Sequence, residues 1–235
     1  MKNLLSILTL LIILLSCAPS EKQLENDANG NITAGKCERL ASFGDIQICL
    51  PAMEGMHECY TNPKVKAKAD AFNYDGNSIL AYYVNDTIFK QIENIDQITF
   101  DDYFQIYATN SLQNKKMEPA ELNEMAELIT NNFISENWDD LKKNIDKDLD
   151  YLTIGKPILI ENYTPLEDVR SYVMIVKYQT ELEEMLVVAI ANIMRIKERL
   201  IWTAYYKNYE GDESIKKAKT ANDFGVIQIM TANKE

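Results

Sequence analysis

Hydrophobic and polar positions divide the chain into segments. An apolar run from Leu4 to Leu15, broken only by Ser6 and Thr9, follows the positive lead Met1-Lys2-Asn3. That length fits a removable secretory signal and falls short of the roughly 20 apolar residues a membrane span needs. Residues 18–36 (APSEKQLENDANGNITAGK) are polar and lack apolar period, which reads as a flexible tether. Within them Asp27, Asn29 and Asn31, with Glu38, briefly match a calcium-loop frame, but Ile32 stands where that loop needs Gly, so no calcium site is expected. From Cys37 the pattern becomes regular. Ile46, Ile48 and Leu50 alternate with Gln47 and Cys49, the period of a strand, and Pro51 ends it. Asn62-Pro63 opens a helix with Val65, Ala69 and Phe72 on one face. Asp75-Gly76-Asn77 is turn chemistry, Ser78 to Val84 a strand, and Ile98 to Tyr107 holds another with Phe100, Tyr103 and Tyr107.

Pro119 then starts a helix with Leu122, Met125, Ala126, Ile129 and Phe133 at three- and four-residue spacing. Ser135 is placed to cap a second, carrying Trp138, Leu141, Ile145 and Leu149 inward. Four β-rich runs follow: Ile158–Tyr163, Tyr172–Tyr178, Met185–Met194 and Leu200–Tyr206. Their short polar connections can join only antiparallel neighbours. The stretch Met185 to Ala191 has no polar alternation, so both faces of its sheet must be covered. Asp212 is placed to cap a closing helix to about Thr231, whose stripe of Ile215, Ala218, Phe224, Ile227 and Met230 is interrupted by Gly225. The expected fold class is α+β: a central antiparallel sheet with a C-terminal four-stranded meander, covered by helices as an α/β/α sandwich.

Leu14-Leu15-Ser16-Cys17, closing the apolar run, resembles the bacterial lipobox. The resemblance implies cleavage after Ser16, diacylglycerol and a further fatty acid such as palmitate on Cys17, and a domain tethered to the cell envelope. Two or more chains, at about 0.8 kcal/mol per buried methylene, anchor stably where one would not. Ala18 after the anchor points to the outer membrane in two-membrane bacteria. The chain then divides into a signal peptide (1–16), a lipidated tether (17–36) and one globular domain (37–235). Three further cysteines, Cys37, Cys49 and Cys59, occupy a disulfide-permissive compartment. Cys49 and Cys59 flank a loop with Pro51 and Gly55, which makes them a candidate pair. The sequence does not choose among the three single bridges, or between a bridge and buried thiols.

Removing residues 1–16 takes away only Lys2 among the charges and leaves 23 basic against 36 acidic residues, a net −13. Such a surface repels nucleic acid and anionic lipid, so the acyl chains and not the domain should hold the membrane. Arg is scarce: Arg39, Arg170, Arg195 and Arg199. His57 is the only histidine, and no Ser lies in a nucleophile elbow, so Ser or Cys catalysis lacks an obvious base. His57-Glu58-Cys59 has ligand types but no second His, and reads as a loop beside a disulfide. Asp101-Asp102, Asp139-Asp140 and Glu183-Glu184 read as solvated pairs, not acid/base machinery. No phosphate loop or dinucleotide fingerprint appears, so no cofactor or metal is expected.

Aromatic residues are the one enriched class. Tyr82, Tyr83, Tyr103, Tyr107, Tyr205 and Tyr206 sit on the expected strands, and within a doublet successive residues face opposite ways. Most should be core; one ring of each doublet is a candidate for an interaction surface or a Tyr-lined cleft. Asp86-Thr87-Ile88 resembles the short O-glycan acceptor of Bacteroidota. The element order, with an early strand ending Ile48-Cys49-Leu50-Pro51, a meander and a closing helix from Ser214 to Met230, resembles the Mog1/PsbP-like group. That resemblance implies binding to protein partners and carries no individual site residue. The expectation is a non-catalytic envelope lipoprotein that binds another protein, with a small-ligand or glycan-binding lipoprotein as the alternative and a carboxylate-only hydrolase behind both.

Overall fold

The computed structural model describes residues 36–71, 73, 75–97, 101–139, 152–180 and 184–234. The leader, Cys17, most of the tether, Phe72, Phe100, Asp140, Glu183 and the expected inward residues Leu141, Ile145 and Leu149 lie outside the described residues.

Two strands, β1 (Cys37–Phe43) and β2 (Ile46–Pro51), form an antiparallel hairpin of their own. Gly44 turns it at φ +59°, and a Cβ there would stand 2.1 Å from the Gln113 carbonyl oxygen, so both conformation and space require glycine. The remaining strands are β3 (Met56–Glu58), β4 (Asn77–Asn85), β5 (Tyr103–Thr109), β6 (Leu152–Ile154), β7 (Ile158–Tyr163), β8 (Val169–Thr180), β9 (Glu184–Ile196) and β10 (Arg199–Asn208). They make one eight-stranded antiparallel sheet in the order β3-β4-β5-β10-β9-β8, and β6 and β7 occupy successive stretches of the outer side of β8. The meander β7-β8-β9-β10 follows the expected path. The β9–β10 turn places Lys197 and Glu198 at φ 47° and 58°, the left-handed pair that a two-residue hairpin loop requires.

Helices α1 (Pro63–Ala71) and α3 (Pro119–Leu128) lie on one face of the sheet. Val65, Ala69, Leu122 and Met125 pack there against Tyr82, Tyr103, Trp202, Met174 and Ala189. The other face is covered jointly by α4 (Asp212–Ala232) and the β1–β2 hairpin; Ala218, Val226, Phe43 and Leu50 meet Tyr83, Phe104, Val173 and Ile190. The short α2 (Asp86–Lys90) follows β4. The architecture is thus α+β, and residues 187–191 are buried on both faces, as their unbroken apolar sequence requires.

Three local details depart from the sequence reading. Gly211 and not Asp212 is the N-cap of α4; Ser214 Oγ accepts from the Glu210 amide at 3.1 Å and Asp212 sits inside the first turn, where its charge suits the dipole. Ser135 does not cap a new helix, because α3 continues through a π-helical turn (Ile129–Phe133) into Ile134–Glu136. Gly225 interrupts the α4 stripe because the Phe104 ring packs on it, 3.2 Å from where a Cβ would stand. A polar cluster fixes the helix over the sheet: Ser171 Oγ donates to Asn192 Oδ1 at 2.6 Å, and Asn192 Nδ2 donates to Asn222 Oδ1 at 2.7 Å and Thr203 Oγ1 at 2.8 Å.

Candidate functional site

The candidate interaction tyrosines do not form a surface. Tyr82, Tyr83, Tyr103, Tyr107, Tyr205 and Tyr206 are all at most 3% exposed. Alternation puts the two rings of a doublet on opposite faces, but both faces are covered, so both rings are core. Tyr82, Tyr103 and Tyr206 stack in sequence across β4, β5 and β10, with centroids 5.1 and 4.7 Å apart. On the opposite face Tyr83 donates to the Pro51 carbonyl at 3.0 Å and locks the hairpin to the sheet. Burial pushes the phenols of Tyr82, Tyr83, Tyr103, Tyr107 and Tyr206 up, so they stay protonated.

The cysteine pairing also differs from the candidate one. Cys49 is bridged to Cys37, Cα to Cα 5.5 Å, and not to Cys59. The unexpected strand β1 is the cause, since it brings Cys37 alongside β2. Cys59 is free and buried, and burial pushes its thiol up to about 12, which leaves almost no thiolate for nucleophilic work. The neighbouring candidates disperse. His57 Nε2 meets Asp86 Oδ1 at 2.7 Å and its ring stacks on Phe89. Glu58 faces the other way, ion-paired with Arg39 at 2.8 Å and accepting the amides of Tyr60 and Tyr82. Among the described residues, no three His, Cys, Asp or Glu side chains gather as metal ligands.

The acidic residues have structural partners. Asp101 accepts the Asn208 amide at 2.8 Å, Asp102 pairs with Lys207 at 3.2 Å, and Glu184 pairs with Lys177 at 2.6 Å. Asp102 holds a left-handed backbone at φ 62°, and its burial pushes the carboxyl up while Lys207 pulls it down. Asp139 is exposed.

Leu40, Phe89 and Leu128 are exposed singly, and a group of exposed aliphatic side chains lies at the outer edge of β7. Ile158, Leu159 and Ile160 are 63, 36 and 48% exposed, and Leu186 on β9 is 41% exposed. Among the described residues no strand pairs with the outer side of β7. A bulge between Leu159 and Glu161 changes the register at Ile160. Ile158 pairs with Ile175, which pairs in turn with Val188; Leu186 lies two residues from Val188 on the same face. An apolar strip therefore runs across three strands to the sheet edge, past the cover given by α4. The tip of the strand is tied down, since Glu161 binds Lys219 of α4 at 2.7 Å and Tyr163 donates to Asp223 at 2.6 Å. An edge that pairs with no other strand among the described residues, beside aliphatic side chains, has the form of a template for one more strand.

No protein-family model and no curated protein matches the chain. Its role must be argued from this geometry. The β7 edge was legible as a strand but not as a surface. The one available signal was Pro157 directly ahead of it, with Glu161-Asn162 inside it, because proline and charge belong to edge strands.

Proposed function

We propose that this chain is a non-catalytic cell-envelope lipoprotein that holds a partner protein at the β7 edge. The observation that carries the reading is the run of three exposed aliphatic residues on a strand edge that pairs with nothing among the described residues. The occupant is an extended segment of a different protein, added antiparallel to β7. A second copy of this chain is disfavoured, because two domains (37–235) of net −12 repel each other at close approach. Within this proposal Cys17 carries the lipid and the tether gives the domain reach above the membrane, the outer one by the Ala18 criterion. The closing helix, the meander and the Leu50-Pro51 strand end support the Mog1/PsbP-like reading, in which protein binding is the common role. The inert Cys59 thiol and the dispersed carboxylates support a non-enzymatic role.

The test is a photo-crosslinking residue at position 160 in intact cells, with one at exposed Glu124 as control. One discrete adduct at 160, absent from 124, supports the reading. Adducts of equal yield at both positions refute it. Labelling with palmitate that persists in Cys17→Ala would refute the anchor.

A further inference from the structure

We infer that Arg170 and the π-helical turn after α3 form a binding site for a small zwitterion, a free α-amino acid, with Arg170 receiving its carboxylate and Glu127 its ammonium group. Arg39, Arg195 and Arg199 are each ion-paired with a carboxylate: Glu58, Asp168 and Asp45 respectively. Arg170 is different. Its Nη1 donates to the carbonyls of Glu167 at 2.7 Å and Val169 at 2.8 Å, and its Nη2 donates to Asn123 Oδ1 at 2.5 Å. All three acceptors are neutral oxygens, so the guanidinium is oriented while its charge stays uncompensated. A guanidinium has five N–H donors. These bonds leave the Nε–H and one Nη2–H, two donors of the guanidinium fork with which a carboxylate can be gripped.

This fork borders a shallow depression of about 310 Å³ lined by Asn123, Ala126, Glu127, Thr130, Asn131 and Arg170. Two of these, Thr130 and Asn131, belong to the π-helical turn (Ile129–Phe133). Thr130 Oγ1 donates to the Ala126 carbonyl at 2.9 Å and is held beside the Tyr172 hydroxyl, so it lines the depression without being needed as a ligand acceptor. Glu127 is four residues, about one helical turn, from Asn123, whose side chain holds Arg170. The two charges thus stand roughly a turn apart without pairing, and an α-amino acid spans such a gap. The lining is electrically balanced, so a simple anion gains from Arg170 but is opposed by Glu127 and by the acidic surface. A zwitterion satisfies both charges.

The experiment is an NMR titration of the full chain in detergent, following the Arg170 Nε–H resonance with glycine, acetate and inorganic phosphate as probes. Glycine should bind saturably in the millimolar range, and acetate and phosphate about tenfold more weakly or worse. Arg170→Lys, which loses the fork but keeps the charge, should weaken glycine about tenfold or more with the fold's spectrum intact. Glu127→Gln, on an exposed helix face, should bring glycine down to the level of acetate. Absence of a saturable glycine shift, equal binding of acetate or phosphate in the native chain, or undiminished glycine binding in Arg170→Lys would each overturn the assignment.

Discussion

Replacing Ile158 and Ile160 together with Lys tests the edge reading most directly, because folding and binding should respond differently. Each side chain is about half exposed in the free domain. Burying a whole aliphatic side chain is worth roughly 1.5–3 kcal/mol, so covering the remaining half contributes about 1 kcal/mol. Ile158, Leu159, Ile160 and Leu186, taken over both faces of the edge, thus offer a partner about 3–5 kcal/mol of apolar burial, with strand hydrogen bonds added to it. Two lysines remove about 2 kcal/mol of that, close to a 30-fold rise in Kd at 1.4 kcal/mol per tenfold. They also place charges where an incoming strand must desolvate them. The free domain should notice little, since exposed positions change stability by about 0.5 kcal/mol or less. The assay pairs adduct yield at a crosslinker in position 159 with a urea unfolding curve of the same variant. Loss of the adduct with an unchanged midpoint is expected. A full-yield adduct, or a midpoint that falls in step with the adduct, refutes the reasoning, because the residues would then be irrelevant to the partner or part of the core.

The other predictions concern the frame that presents this edge. Cys37→Ser opens a bridge that closes a loop of 12 residues' separation and should cost about 2–3 kcal/mol in urea unfolding, whereas Cys59→Ser should leave the crosslink intact; peptide mapping that finds Cys59 bridged defeats this. Asn192→Ala strands the Ser171 hydroxyl and the Asn222 amide inside the sandwich and should cost about 3–5 kcal/mol, so a loss below about 1 kcal/mol in the same assay would mean that the cluster does not hold α4 in place. Glu198→Gly relieves a left-handed backbone at the cost of an exposed ion pair with Lys116 and should raise stability by about 0.5–1 kcal/mol; a lower melting temperature contradicts it. Asp102 has its folded pKa raised by burial, so its contribution is complete below the ordinary carboxylate value and declines as pH rises through the raised one. Relative to Asp102→Asn, which tolerates the same backbone, the native protein should therefore lose stability as pH rises from the ordinary carboxylate range, and a difference moving the other way in urea titrations would rule that out.

The elements that local pattern could identify are those whose own period decides them. Tyr172–Tyr178, Met185–Met194 and Leu200–Tyr206 lie within β8, β9 and β10, and Pro63 and Pro119 open α1 and α3. Strand β1 was illegible because only Ala41 and Phe43 of its seven residues are buried and its first two, Cys37 and Glu38, are exposed; without β1, the Cys37–Cys49 pairing could not be derived. The tyrosines show a more general limit. Alternation correctly separates Tyr82 from Tyr83 and Tyr205 from Tyr206, yet it says which face a ring takes and not whether that face is covered. The unbroken apolar run at Val187–Ala191 already required cover on both faces of β9. Since β4, β5 and β10 belong to the same sheet, that requirement extends to their doublets and leaves no face for an aromatic surface. Cover over the faces moves the question of contact to the rims. One rim, β3, is three residues long, and its His57 is engaged with Asp86 and Phe89. The other carries Ile158, Leu159 and Ile160 with nothing paired beyond them among the described residues, and two-sided burial keeps the tyrosines inside, which is why partner binding is proposed at the β7 edge and not at an aromatic surface.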